Sequence, residues 1–311
     1  MHIAITGGTG LIGRALADHL LRHGHQVTIF TRRPEQARPK VPAPATIARW
    51  TPDDPRALAQ HLRPVQAVVH LLGENIAAGR WTAQRRRAIY ESRIQGGRTL
   101  MTALRLAQPR PAVLIQASAV GYYGDRGDEI LDESAPPGDD FLARLCVDWE
   151  NSTAAAENLG MRRAIIRTGV VLSRDGGALP RLLLPSRWGV GGALGSGRQW
   201  MPWIHLADEA AAIAFLITHE QAHGAFNLTA PEPVTNLELT RAIARRLHRP
   251  AFFRVPAVAL RLLFGEMSMV LLSSQRAVPR RLQQAGFTFR YPTLDTALEH
   301  LLSPAQPTEA P

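Results

Sequence analysis

Apolar and polar positions along this chain alternate between two rhythms. Short apolar runs, HIAIT (2–6), QVTIF (26–30), AVVHLL (67–72), AVLIQAS (112–118) and RAIIRTGVV (163–171), have the length and composition of strands buried on both faces. Segments of helical periodicity separate them, so the pattern predicts βαβ units and a parallel sheet covered by helices on both sides. The proline-rich stretch RPEQARPKVPAPA (33–45) reads as a surface loop before a third strand. After about residue 175 the text turns glycine-rich and proline-punctuated, followed by a helix from Asp208, a strand at GAFNLTA (224–230) and mostly helical periodicity from Asn236. The expected architecture is a doubly wound α/β domain over residues 1–230, with 176–204 contributing to a substrate cleft. A smaller substrate or cap lobe is expected over 231–303 and a flexible tail over 304–311.

The first strand runs into ITGGTGLIGRAL and a helix expected to reach about His23. Gly7, Gly10 and Gly13 are spaced G-x-x-G-x-x-G, and Gly8, Gly10 and Gly13 fit G-x-G-x-x-G. In such a turn one glycine permits the tight bend, Gly10 lets the backbone come close to a pyrophosphate, and Gly13 lets the helix pack on the strand. Amides at the helix N-terminus then hold the phosphates. Because strand, turn, helix and second strand follow in order, a dinucleotide site is expected at Gly7, Thr9, Gly10, Leu11, Ile12 and Gly13. The second strand ends IFTRRP, where an NAD site usually carries an acid for the ribose 2′-hydroxyl. Thr31 and Arg32 stand there instead, and a guanidinium fork matches a 2′-phosphate, so the expected cofactor is NADP.

Composition narrows the partners. Of 311 residues, 36 are Lys or Arg against 26 Asp or Glu, a formal charge of +10. Lys40 is the only lysine, and the arginines are scattered without aromatic interleaving, so no nucleic-acid partner is expected. The single Cys146 excludes an internal disulfide and any multi-cysteine metal site, and no metal is expected. MHIAITGGTG leaves no room for a signal peptide, and the best apolar run, VPAVALRLLFGEMSMVLL, is broken by Arg261 and Glu266. The expectation is a cytoplasmic monomer or homodimer with a small-molecule substrate and no membrane partner.

With these residues in hand the chain resembles the extended short-chain dehydrogenase/reductase superfamily, most closely its NAD-dependent epimerase-like subfamily with a fused C-terminal module. The resemblance rests on GGTGLIG, VVHLLGENI (68–76), ESR (91–93), SAVGYYG (118–124), DFLARLCVDWE (140–150), IIRTGVVL, GGALGSGRQWMPWIHLAD (191–208) and the block from VPAVALRLLFGE to Tyr291 and Pro292. It implies a Rossmann domain with Leu71, Leu72 and Gly73 along the adenosine and ribose, and Arg93 approaching from the next helix. Ala117 and Ser118 would sit near the nicotinamide, with Arg167 and Gly169 beside it. Arg198 would contact a substrate anion, with Trp200 and Trp203 lining the same pocket or packing structurally.

Members of that superfamily carry Tyr-x-x-x-Lys on the helix after the fifth strand, where i and i+4 share one face and the ammonium stabilises a phenolate. Aligning the family's glutamate with Glu150 puts Leu142 and Cys146 at those two positions. The couple is missing. Ser118, Tyr122 and Tyr123, just past the fifth strand, are the remaining candidates for catalysis, with His205 and Glu74 as weaker ones. Losing a general acid forfeits roughly 10²- to 10⁴-fold in rate, whereas orientation supplies about 7–11 kcal/mol, so an atypical oxidoreductase or epimerase survives the loss. The alternative is a non-catalytic NADPH-binding sensor or scaffold.

Overall fold

Seven strands, all parallel, form one sheet in the computed structural model, which describes residues 1–303. The expected tail 304–311 lies outside the described residues. In chain order the elements that position the cleft are β1 (His2–Thr6), α1 (Leu11–Arg22), β2 (Gln26–Thr31), β3 (Thr46–Arg49), α2 (Pro55–Leu62) and β4 (Ala67–His70). They continue as α3 (Ala83–Leu106), β5 (Val113–Ala119), α4 (Phe141–Asn151), β6 (Arg162–Thr168), α5 (Leu206–Thr218) and β7 (Gly224–Leu228). The spatial order is β7-β6-β5-β4-β1-β2-β3. It reverses direction between β1 and β4, and the crevice outside the carboxyl ends at such a point is where doubly wound sheets bind ligands.

Burial on both faces explains the unbroken apolar runs. Ile3, Ile5, Ile29, Val69, Ile115 and Ile166 face α1 and α5, meeting Leu16, Leu20, Ile213 and Leu216. Ala4, Phe30, Val68 and Leu114 face α2 and α3, meeting Leu58, Leu62, Leu100 and Leu104. Each such Leu, Ile or Phe contributes about 1.5–3 kcal/mol by leaving water.

Several elements differ from the sequence expectation, each for a local reason. RAIIRTGVV is two strands, because the chain leaves the sheet at Gly169 and Val170–Leu172 pairs separately with Trp203–His205. A Cβ at Gly169 would collide with the Pro202 carbonyl, so the crossing needs glycine. The loop 33–45 contains a helical turn, Pro34–Ala37, that buries Ala37 and is followed by the buried Ala45. The helix expected from Asp208 begins at Leu206, because the His205 side chain accepts from the Ala207 amide and caps it. α4 stops at Asn151, where Ser152 lies so close over Gly97 of α3 that no Cβ fits between them.

The C-terminal segment is joined to the sheet through short strand pairs. Ile130–Leu131 pairs with Arg276–Ala277, Gly192–Leu194 with Phe253–Val255, and Trp200–Met201 with Val234–Thr235. α6 (Asn236–Arg246) starts with a capping box between Thr235 and Glu238. Its Leu239 and Ile243 form a separate core with Trp203, Leu183, Leu294 and Leu298. The Arg281 guanidinium donates to the carbonyls of Ala225 and His223 at 2.7 Å each, fixing this segment to edge strand β7.

Candidate functional site

The glycine turn is shaped by close approach. Gly7 has φ +71°, and a Cβ there would lie 2.6 Å from the Leu71 carbonyl oxygen at the end of β4. A Cβ on Gly13 would lie 2.6 Å from the Gly7 carbonyl oxygen, so α1 rests directly on the turn. The Gly10 amide donates to the Gly7 carbonyl at 3.0 Å. Gly10 is the N-cap and supplies no side-chain cap, which leaves the first-turn amides at Leu11, Ile12 and Gly13 without intrahelical acceptors. With Thr9 half-buried and Gly10 exposed, this is a cradle of unpaired donors at the positive end of a helix dipole, and it fits a pyrophosphate.

One strand away, Arg32 projects from the end of β2 with 74% of its side chain exposed. Its charged neighbour is Glu74, at 3.9 Å; the other Glu74 oxygen lies 3.4 Å from Arg85. Thr31 accepts from the Arg33 amide at 3.3 Å. Leu71 and Leu72 point to opposite faces of the sheet and pack on its two cores. Arg93 lies beneath the following loop: its Nη1 donates to the carbonyls of Glu74 and Ile89 at 3.1 Å, and its guanidinium covers the Trp149 ring at 4.7 Å. A Cβ on Gly73 would be 3.0 Å from the Arg93 Cζ, so the arginine supports the backbone wall there. Burial pushes its pKa down to about 10.

At the other end of the cleft, Ser118 of β5 is opposite Arg167 of β6, and Ala117 is buried just before it. Ser118 donates to Glu150 Oε1 at 2.6 Å. Arg167 grips the same carboxylate through Nε–Oε1 at 2.9 Å and Nη2–Oε2 at 3.1 Å, and all three residues are buried. A buried ion pair offsets its desolvation only with such geometry. Burial lowers the Arg167 pKa, but the hydrogen bonds and charge of Glu150 outweigh it and the net shift is upward. Arg167, expected beside the nicotinamide, is therefore committed to Glu150, and its Cζ stands 3.4 Å over the Tyr122 ring centre.

Tyr123, a candidate for catalysis, lies inside the core. It is fully buried; its hydroxyl donates to Asn227 Oδ1 at 2.7 Å and accepts from Arg167 Nη1 at 3.2 Å. Burial pushes its pKa up to about 12 against the pull of Arg167, and in this structure the hydroxyl is bonded within the core. Tyr122 is half-buried, edge-on to Tyr123 at 5.3 Å between centroids, and its hydroxyl has no partner among the described residues. The positions expected to hold Tyr and Lys are apolar: Leu142 packs under Gly121, and burial followed by the Glu150 charge pushes the Cys146 thiol up to about 12. The Gly169 amide donates to the Leu228 carbonyl at 3.0 Å, which gives that glycine a structural task.

On the substrate side, Arg198 is exposed on a loop turned by Gly195 and Gly197, at φ +59° and +72°, and its guanidinium has no partner among the described residues. Trp200 donates to Asp128 Oδ1 at 2.7 Å beneath the Arg276 guanidinium at 4.3 Å, while Trp203 is core. His205 is structural: besides capping α5 it meets His300 Nδ1 at 3.1 Å and stacks on Tyr291. Burial, then the neighbouring His300, lower its pKa to about 3. Among the described residues no cluster of three or more His, Cys, Asp or Glu could hold a metal.

Three buried polar residues bonded to strand-end residues at the sheet's carboxyl edge are not singled out by the sequence. Glu150 was read only as a family landmark, and nothing local announces its bond to Ser118. Glu209 of α5 is fully buried, accepts from the Thr168 hydroxyl at 2.7 Å, leaves its second oxygen unpaired, and is pushed up to about 8 by burial. His70, bonded to the Thr6 hydroxyl at 2.7 Å across the switch point, is pushed down to about 4 by burial. The available signals were a carboxylate inside the apolar helix LADEAAAIAFLIT and a polar residue closing the strand AVVH.

Comparison with known proteins places the fold in a known family. Residues 3–229 match the NAD dependent epimerase/dehydratase family, and residues 255–301 match a domain of unknown function, DUF1731. An epimerase family protein of Mycobacterium bovis is 44% identical over 301 residues, covering 95% of this chain and 96% of its own. The crystal structure of human epimerase family protein SDR39U1 (isoform 2) with NADPH is similar at a TM-score of 0.88 and 34% identity, covering 97% of this chain and 99% of that one. A nucleoside-diphosphate sugar epimerase from Corynebacterium glutamicum is similar at a TM-score of 0.78 and 36% identity, over 97% of this chain and 58% of its own.

Proposed function

Because the chain belongs to the NAD dependent epimerase/dehydratase family, we propose that it is an NADP-dependent oxidoreductase or epimerase-like enzyme for a small polar substrate. In this reading the Ser118–Glu150 pair handles the proton in place of a Tyr–Lys couple. The observation that carries the cofactor assignment is an uncapped helix N-terminus lying one strand from the outward guanidinium of Arg32. The NADPH named with the human relative supports it. NADP(H), when bound, donates or accepts the hydride.

The protein's own residues do the rest. Gly7, Thr9, Gly10, Leu11, Ile12 and Gly13 hold the pyrophosphate; Thr31 and Arg32 take the 2′-phosphate. Leu71, Leu72 and Gly73, supported from below by Arg93, wall the adenosine side, and Ala117 and Gly169 border the other end. Ser118 spends its proton on Glu150, so towards the cleft it offers lone pairs. A substrate hydroxyl can donate to that oxygen while the serine proton passes to the Glu150 carboxylate; in the reverse direction the proton returns through Ser118 to a carbonyl oxygen. Arg167 holds the Glu150 carboxylate in place through its two hydrogen bonds. Arg198 binds an anionic group of the substrate, with Trp200 beside it. The apolar residues at 142 and 146 favour a second reading, cofactor binding without turnover.

Calorimetry tests the cofactor. Arg32→Ala should weaken NADPH by about tenfold to a hundredfold, the loss of a charge-assisted hydrogen bond, with little change for NADH. A wild-type preference for NADH overturns the assignment. Turnover with carbonyl compounds or nucleotide sugars that disappears in Ser118→Ala supports chemistry; tight NADPH binding with no turnover across the panel gives the second reading.

A further inference from the structure

Two segments of the sequence, 176–207 and 239–265, contain no Asp or Glu. The fold brings them together: Gly192–Leu194 pairs with Phe253–Val255, and Gly189 lies against Pro250. α7 (Ala257–Phe264) follows directly in the chain after the Phe253–Val255 strand, and Ala257 lies near Gly195 of the first segment. Across it Leu184, Trp188, Phe252, Val258, Leu262 and Leu263 are exposed, Trp188 at 78% and Phe252 at 74%. Within α7 the inward residue is Leu260, whereas Val258, Arg261 and Leu262 form an outward stripe at i, i+3 and i+4. A water-facing helix carries polar residues on that stripe; here it is mainly aliphatic. Isolated exposed apolar residues are ordinary, but a contiguous group marks a contact surface.

The charge around this face selects the partner. Arg245 and Arg246 lie against Asp295 and Glu299, but the guanidinium groups of Arg187, Arg249, Arg254 and Arg261 have no partner among the described residues. We propose that this face docks on a bilayer surface bearing anionic headgroups. The aliphatic and aromatic side chains enter the boundary between headgroups and acyl chains, and the arginines meet the phosphates. A two-fold contact with a second copy would set arginine against arginine with no acid in either segment. A nucleic acid would satisfy the arginines and leave Val258, Leu262 and Leu263 uncovered. The expectation of no membrane partner rested on the lack of a spanning run; among the described residues no helix is long and apolar enough to cross a membrane, and surface attachment needs none.

Co-sedimentation of the full chain with phosphatidylcholine vesicles, with and without phosphatidylglycerol, tests this independently of the cofactor site. Partition is expected into the anionic vesicles and to be weakened by salt. Leu262→Ser should lower it about tenfold, and Arg254→Gln about fivefold. Both positions are exposed, and circular dichroism of each variant checks the fold. Absence of partition at low salt overturns the proposal. So does a dimer in light scattering that Leu262→Ser dissolves, which gives the face to a second copy. Binding to a DNA duplex that matches binding to the vesicles and is indifferent to Leu262→Ser overturns it in favour of a generic polyanion.

Discussion

Tyr122 and Tyr123 are adjacent in sequence and of the same type, yet their surroundings give them different work. The Tyr123 hydroxyl faces Asn227 and Arg167 in the core; the Tyr122 ring lies under the Arg167 guanidinium with its hydroxyl unpaired among the described residues. Tyr123→Phe removes a hydrogen-bond partner from two buried groups. It should destabilise the protein by about 1–3 kcal/mol in urea unfolding while leaving NADPH affinity within about twofold. A loss of turnover at unchanged stability would instead restore Tyr123 as a reacting group. Ser118 shows the same dependence on neighbours: a candidate from its place at the end of a strand, it is buried and donates its hydroxyl hydrogen bond to Glu150, thirty-two positions along the chain.

The elements are locked by a few buried polar contacts. α5 presents Asp208 to the backbone of the returning C-terminal segment, accepting from the amides of Arg290 at 2.8 Å and Tyr291 at 2.9 Å. Burial raises its pKa, while those amides oppose the shift. Asp208→Ala would leave both amides without their acceptor, at a cost of about 1–3 kcal/mol. Limited proteolysis should then cleave near residues 286–293 faster than in the wild type; equal rates would show that the hydrophobic core around Leu294 and Leu298 holds the segment alone. Gly169 has the corresponding role between β6 and the cleft, since any side chain there would drive the chain away from Pro202.

For the whole molecule, the buried titratable groups set how stability responds to pH. Glu209 has a folded-state pKa of about 8 against an ordinary 4.5, so the folded protein holds a proton that the unfolded chain releases. Its contribution is fully present below about pH 4.5 and is lost as the pH rises towards 8, by up to about 1.4 kcal/mol per pH unit. His70 acts in the opposite direction: held near 4 against 6.5, its contribution is present above pH 6.5 and lost as the pH falls through 4. Urea unfolding at several pH values between 6.5 and 8 therefore isolates the carboxyl, with stability falling as pH rises and the slope flattened in Glu209→Gln. Identical slopes in the two proteins would show that Glu209 is ionised throughout.

Periodicity determined the parallel sheet, while a few consecutive residues determined the glycine turn opening α1 and the basic end of β2; that Leu142 and Cys146 stand where a Tyr–Lys couple is expected follows only from the resemblance to the superfamily. A strand buried on both faces must be apolar throughout, and a backbone resting on a phosphate or on a neighbouring carbonyl must be glycine. Contacts between distant residues were decided only by the tertiary structure. Ser118 meets Glu150 and Arg167 there, Tyr123 finds Asn227, and His205 finds His300. The same holds for the break at Gly169, where the apolar run reads straight on and only Pro202, brought in between two later short strands, shows that the chain must turn. Hydrogen bonds and desolvation act over a few ångströms of space, and they assign roles according to which side chains the fold brings within that range.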